Sequence, residues 1–184
     1  SGNLVTNSAW DDFWLNEGFT SYLERRLVES LYGERRASME DAIAYEELVQ
    51  TIKDLEAAGH AADSALHLQL AGRDPDEGIS DIAYQKGRWF LGFLEGRFGR
   101  PAFDAFLREY FDAHAFQSID TATFRAWLLE YLKRPGSPKI TVIEIDDVAP
   151  EGQRRVSSTW VRELLSAGEV REAAQLLGSL PSIR

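Results

Sequence analysis

Residues 8–32, SAWDDFWLNEGFTSYLERRLVESLY, carry the pattern that decides the fold. Apolar side chains return every three or four residues, which is the spacing of one face of an α-helix. They are Trp14, Leu15, Phe19, Tyr22, Leu23, Leu27 and Leu31. Ser8 precedes Asp11 by three residues, as in a capping box, and Gly33 is suited to end a helix. The stretch therefore predicts one long amphipathic helix from Ser8 to Tyr32.

Further helical patterns follow this helix along the chain. They cover residues 38–58, 82–99, 101–114 and 123–134. Pro101 fits the first turn of its helix, because a proline lacks the N–H that would be unpaired there, and Asp120 or Thr121 could cap the last one. The expected core of this part includes Phe103, Phe106, Phe111, Phe116, Ile119 and Trp127. The sequence therefore predicts a mainly α fold.

The sequence RPGSP at 134–138 interrupts the helical periodicity and marks a predicted boundary between residues 1–135 and 136–184. Beyond it, the β-branched run Ile140–Ile145 is typical of a strand. Two short helical patterns follow, joined at Gly168. The predicted tail is a strand plus two short helices (β-α-α).

Composition excludes several classes of function. The 184 residues hold 20 Lys+Arg against 30 Asp+Glu, which gives a formal charge of −10 and argues against a nucleic-acid surface. No apolar run approaches the roughly 18 residues of a membrane span, and no signal pattern is visible, so we expect no membrane partner and a cytoplasmic location. The chain has no Cys and three His, so few side chains are available to bind a metal through sulfur or nitrogen.

One edge of the long helix is polar. Glu17, Thr20, Ser21 and Glu24 lie within one face at 3.6 residues per turn. Spacing alone leaves two interpretations open, a solvated face and a functional site.

The surrounding sequence, GNLVTNSAWDDFWLNEGFTSYLERR at 2–26, resembles the M1 zinc aminopeptidases. The similar branch contains leukotriene A4 hydrolase, aminopeptidase B and cold-active bacterial aminopeptidases. The resemblance implies the helical part of a thermolysin-like catalytic domain, in which Glu17 of WLNEG is a zinc (Zn) ligand and a peptide is the substrate. Glu24 is then a candidate to orient another ligand; its alternative is a surface carboxylate paired with Arg25 or Arg26.

The resemblance also implies groups that this sequence does not contain. The family's HExxH motif supplies two His ligands and the general base, and a G-x-M-E-N segment binds the substrate's amino group; neither occurs in the chain. A catalytic zinc needs about three protein ligands. We therefore expect a fragment that binds no zinc and is inactive by itself. His60, His67 and His114 form no H-x-x-x-H pair, and surface or capping roles are expected for them.

A second motif strengthens the resemblance. Tyr84, Lys86 and Gly87 match the family's Y-x-K-G, whose Tyr donates a hydrogen bond to the oxyanion of the tetrahedral intermediate. The alternative for Tyr84 is a core position with a locally bonded hydroxyl. Asp76, in Asp74-Pro75-Asp76, is similar to a D-P-D run of leukotriene A4 hydrolase and is a candidate on the substrate side, with a turn-forming role as the alternative. Ile79 stands where that enzyme has a second active-site Tyr, so epoxide hydrolysis is not implied.

From about residue 139 the tail resembles the end of the nucleotidyltransferase module of bacterial FAD synthetases (bifunctional riboflavin kinases). Ser157, Ser158, Thr159 and Arg162 match its I-S-S-T-x-x-R motif, which implies binding of ATP phosphates; an ordinary helix cap is the alternative. The alternative to an enzyme fragment is therefore a non-catalytic helical scaffold, or a spliced or engineered chimera, that forms a homo-oligomer through strand 140–145.

Overall fold

In the structure, a computed structural model that describes residues 1–142 and 163–177, the predicted long helix (α1) spans Trp14–Tyr32. The helices that follow it are α2 (Glu34–Ala57), α3 (Pro75–Gly78), α4 (Gly87–Phe98), α5 (Arg100–His114) and α6 (Thr121–Leu132). Short 3-10 turns lie at Trp10–Asp12 and Ala61–Ser64, and a π-helical turn at Ile82–Lys86 leads into α4. The predicted mainly α class is confirmed.

The predicted start of α1 at Ser8 is wrong. The helix begins at Trp14, and no side chain caps its first turn. Asp11, which suggested a capping box, binds another segment instead: its carboxylate accepts the Leu70 N–H at 2.9 Å. The buried Asp12 carboxylate accepts both the N–H and the hydroxyl of Thr121, at 3.0 and 2.7 Å. These bonds fix the entry to α1 against distant parts of the chain.

A small parallel sheet was not predicted. Strand β1 (Val5–Asn7) pairs with β2 (Gln117–Ile119), with Val5 opposite Gln117. Three-residue strands are too short to show a periodic pattern, and parallel partners can lie far apart in the chain. The sheet ties the segment before α1 to the α5–α6 connection.

The core lies between α1, α4, α5 and α6 and is rich in aromatic rings. Phe19 stacks on Tyr110 with ring centroids 5.2 Å apart, and Phe103, Phe106 and Ile119 are buried as predicted. Phe111 and Trp127 pack against this core while remaining partly accessible. Phe116, also predicted to be core, is 87% exposed. It lies between α5 and β2 with φ +61°, and its N–H donates to the Leu4 carbonyl at 2.6 Å, so the backbone bond turns its ring outward.

Charged side chains join α1 to α4 and α5. Arg26 donates to both carboxylate oxygens of Asp104, at 2.8 and 3.2 Å. Arg100 binds Glu29 through two bonds of 2.6 and 2.8 Å and also reaches Glu95 at 2.7 Å. These guanidinium groups lower the pKa of Asp104 and of Glu29 below their ordinary values of 3.8 and 4.5. The network therefore stabilises the fold only while both carboxyls are ionised.

Acid should weaken this network in a defined direction. Because both carboxyl pKa values are lower in the folded chain than in the unfolded chain, the stabilisation is present at neutral pH and is lost as the pH falls below about 4. We expect the free energy of unfolding in urea to fall between pH 5 and pH 3. Asp104→Asn should be less stable at pH 7 and should show a shallower pH dependence. An unchanged slope in Asp104→Asn would contradict the assignment of that slope to this pair.

The chain divides into two compact units, Ser1–Ile140 and Thr141–Arg184. In the described part of the second unit, residues 163–166 are helical and α7 spans Val170–Leu177. Gly168, with φ +83°, lies between them, which confirms the predicted junction. Residues 140–142 are not in a strand, and the rest of the predicted strand Ile140–Ile145 lies outside the described residues. Within the described ranges, no helix combines the length and apolarity needed to cross a bilayer.

Candidate active site

Each residue of WLNEG has a distinct place at the start of α1. Trp14 and Leu15 are buried in the core. Asn16 accepts the Asn7 N–H at 2.9 Å and so fastens α1 to the end of β1. Glu17 lies in the first turn and is half-buried, and its carboxylate makes no hydrogen bond or ion pair with the described residues. Burial raises the pKa of Glu17. A carboxylate in the first turn of a helix also lies where the partial positive charge of the helix N-terminus favours its ionised form.

The next residue of the motif, Gly18, touches Gly87 of the second motif. A Cβ built on Gly18 would lie 2.9 Å from the Gly87 Cα, and one built on Gly87 would lie 2.8 Å from the Gly18 Cα. Real Cβ atoms essentially never come this close to backbone, so only glycine fits at either position. This contact brings the start of α1 against the π-helical turn that carries Tyr84.

Tyr84 occupies the middle of that π-helical turn. Its half-buried ring packs edge-on against Phe13, with centroids 5.9 Å apart. Burial raises the pKa of the phenol, and the negative charges of Glu17 and Asp81 raise it further. The hydroxyl therefore stays protonated at neutral pH. The hydroxyl has no hydrogen-bond partner among the described residues.

Glu24 lies exposed two turns further along α1. It lines a cavity of about 170 Å³ together with Ser21, Gln85 and Arg88. The alternative, an ion pair of Glu24 with Arg25 or Arg26, is not found within the described ranges. Both arginines bind other carboxylates: Arg25 binds Asp41, Glu29 and Glu34, and Arg26 binds Asp104. Glu24 therefore remains a carboxylate that another segment can bind.

Asp76 makes no contact with Glu17 or Tyr84 that is seen in the described residues. It is exposed at the start of α3, and its N–H donates to the Asp74 carboxylate at 3.0 Å. Asp74 is thus the capping side chain of the turn, while Asp76 contributes a backbone donor. The substrate-side role of Asp76 stays a prediction.

The histidines have other partners. His67 Nδ1 lies 2.8 Å from the buried Asp12 carboxylate, His60 lies 3.4 Å from Asp63, and His114 Nδ1 lies 2.9 Å from the Tyr110 carbonyl. Across residues 1–142 and 163–177, no three His, Asp or Glu side chains are grouped to hold a metal ion. Of the metal ligands that the resemblance implies, the sequence contains Glu17, whose carboxylate has no hydrogen bond or ion pair within the described residues. Ser157, Ser158, Thr159 and Arg162 lie outside the described residues.

Two contacts in this region were not predicted. In both motifs a glycine directly follows a charged residue, so the two glycines are visible in the sequence. Their positions in the chain do not predict that Gly18 and Gly87 are in contact. Lys86 donates from Nζ to the Ser64 carbonyl at 2.5 Å, and no local pattern indicates this bond.

The chain matches a known protein family over most of its length. Residues 1–147 match the Peptidase family M1 domain. The chain belongs to the M1 peptidase family.

Curated relatives support this membership of the M1 family. Leucine aminopeptidase 2 of Neosartorya fischeri is 38% identical over 147 residues, and a leukotriene A-4 hydrolase homolog of Botryotinia fuckeliana is 36% identical over 146 residues. Each match covers 79% of this chain but only 23% and 22% of the relative. The chain thus spans about a quarter of the length of these M1 relatives.

Solved structures of the M1 family show the same fold. Native leukotriene A4 hydrolase from Saccharomyces cerevisiae is similar with a TM-score of 0.65 and 31% identity, over 95% of this chain and 28% of that one. The yeast enzyme in complex with bestatin gives a TM-score of 0.67 at 30% identity, over 95% of this chain and 29% of that one. The helical unit is therefore the M1 arrangement predicted from its motifs.

Proposed function

We propose that this chain supplies one part of the active site of a zinc aminopeptidase that removes N-terminal residues from peptides. Glu17 is one zinc ligand, and the Tyr84 hydroxyl donates a hydrogen bond to the oxyanion of the tetrahedral intermediate. The Gly18–Gly87 contact carries this proposal, because it packs the turn of α1 that holds Glu17 against the turn that holds Tyr84. Neither side-chain oxygen has a hydrogen-bond partner in the described residues.

The chain's own residues suit these two tasks. A carboxylate that is unpaired and half-buried can bind a cation without first breaking an ion pair. A phenol with a raised pKa stays protonated, so it can donate to developing negative charge at pH 7. Zinc, when bound in an M1 enzyme, activates a water molecule by lowering its pKa.

The rest of the site must come from polypeptide outside these 184 residues, since the sequence contains no HExxH. We therefore expect the 184-residue chain to contain no stoichiometric zinc and to show no hydrolysis of aminoacyl-arylamides. Zinc analysis and an arylamide assay of the purified chain test this. One zinc per chain together with turnover would contradict it.

The positive test uses a hybrid, called here the swap enzyme. It is the leucine aminopeptidase 2 of Neosartorya fischeri in which the segment that aligns with this chain is replaced by residues 1–147. Because the aligned segments are 38% identical, we expect the swap enzyme to bind one zinc and to release N-terminal residues from peptides. A swap enzyme that is folded and holds zinc but has no aminopeptidase activity would contradict the proposal.

Tyr84→Phe tests the hydroxyl by itself. This substitution keeps the ring that packs on Phe13 and removes only the donor. We expect kcat of the swap enzyme to fall about 10²- to 10³-fold, the usual cost of losing one oxyanion donor, with zinc content unchanged. Tyr131→Phe, in α6, is the matched control and should leave kcat unchanged. A Tyr84→Phe enzyme with more than half of the parent kcat would refute the assignment.

A further inference from the structure

Lys86 connects the turn that carries Tyr84 to a segment on its other side. Its side chain is half-buried, and Nζ donates to the Ser64 carbonyl at 2.5 Å. Burial lowers the pKa of this ammonium group, as expected when few water molecules solvate it. A half-buried ammonium left without an acceptor is costly, so the bond to the Ser64 carbonyl favours one position of the side chain.

The acceptor belongs to a segment that is itself fixed. Ser64 ends the 3-10 turn Ala61–Ser64, and its hydroxyl donates to the Ala61 carbonyl at 2.8 Å. Asp63, which is buried, binds the Arg73 guanidinium through two bonds of 2.8 and 2.9 Å. These bonds hold the carbonyl that Lys86 uses, so Lys86 is attached to a rigid part of the molecule.

The π-helical turn is therefore held at two places. On one side Gly87 lies against Gly18 of α1, and on the other Lys86 is bonded to Ser64. Tyr84 lies two residues before Lys86 within the same turn. Single π-helical turns are rare, and we expect these two contacts to stabilise this one.

We propose that Lys86 is a positioning residue that fixes the Tyr84 hydroxyl by bonding the π-helical turn to the Ser64 carbonyl. The catalytic consequence rests on the proposed function of Tyr84, whereas the structural consequence does not. Removing the ammonium group should let the turn adopt more than one conformation and move the hydroxyl. A donor that moves by about 1 Å from its place costs catalysis even when binding is unchanged.

The structural arm of the test uses the full 184-residue chain labelled with 3-fluorotyrosine and observed by fluorine NMR. The chain has six Tyr, and Tyr84→Phe identifies the Tyr84 signal by its loss. In Lys86→Met, a variant of similar length without the donor, the Tyr84 signal should shift or split while the other five stay in place. Lys86→Arg, which retains a donor, should restore the original signal. An unchanged Tyr84 signal in Lys86→Met overturns the proposal, and Lys86→Gln is measured in the same way if the methionine variant does not fold.

The kinetic arm uses the swap enzyme. Lys86→Met should lower kcat about tenfold and change KM by less than twofold, and Lys86→Arg should recover most of kcat. A moved Tyr84 signal with an unchanged kcat would also overturn the positioning role. A swap enzyme that is inactive before any substitution refutes the proposed function instead, and the NMR arm then still decides whether Lys86 fixes Tyr84.

Discussion

Replacing Glu17 by alanine is expected to remove the zinc and more than about 99% of the aminopeptidase activity from the swap enzyme. Glu17 is one of about three protein ligands that a catalytic zinc requires. Losing a residue that merely orients a ligand costs 10- to 100-fold in metal affinity or activity, so losing a ligand should cost more. The carboxylate has no other partner in the described residues, so its removal should leave the fold intact.

Glu24→Ala is the matched control for Glu17→Ala. Both glutamates lie on α1, but Glu24 is exposed and lines a cavity two turns away. If Glu24 only orients a ligand, its alanine variant keeps zinc and loses at most about 100-fold in activity. Zinc analysis and arylamide hydrolysis of both variants give the comparison. Stoichiometric zinc in Glu17→Ala would remove Glu17 from the ligand set.

Replacing Gly18 by alanine should destabilise the 184-residue chain by about 2 kcal/mol. The added Cβ would lie 2.9 Å from the Gly87 Cα and 3.1 Å from the Gly87 carbonyl carbon, both backbone atoms that cannot move aside alone. Overpacking of this kind costs about 1–3 kcal/mol, which exceeds the gain of up to about 1 kcal/mol from alanine's better helix propensity. For a chain of this size the melting temperature should fall by about 4–8 °C.

Gly92→Ala is the control for Gly18→Ala. Gly92 lies inside α4, and a Cβ built on it meets no atom within 4 Å. This variant should therefore be as stable as the parent or gain up to about 1 kcal/mol. Equal effects of the two substitutions on thermal melting would show that the Gly18–Gly87 contact is not a close one.

Periodic patterns in the sequence were sufficient to predict the helical fold, and short motifs were sufficient to select candidate site residues. The apolar stripe of residues 14–31 predicts α1, and Gly33, with φ +85°, ends that helix as expected. Asp120 caps α6 by accepting the Thr123 N–H at 2.7 Å. These features depend on residues close together in the chain, for which propensity and capping rules are informative. Glu17 and Tyr84 were identified because each lies in a short motif of the M1 family.

Contacts between distant residues could not be predicted in the same way. Asp11 had the spacing of a capping-box acid, yet its carboxylate accepts the distant Leu70 N–H. Phe116 was assigned to the core by its type, but a backbone bond to Leu4 directs it outward. The bond from Lys86 to the Ser64 carbonyl likewise joins two segments whose contact no local pattern predicts. Tertiary contacts override local preference at these positions.

The position of the metal relative to Glu17 tests the central claim most directly. Crystals of the swap enzyme, measured on both sides of the zinc absorption edge, locate the metal without any assumption about the ligands. We expect one anomalous peak about 2.0–2.2 Å from a carboxylate oxygen of Glu17, with the Tyr84 hydroxyl facing the metal. A zinc peak that is coordinated entirely by other residues, with Glu17 outside bonding distance, would contradict the account.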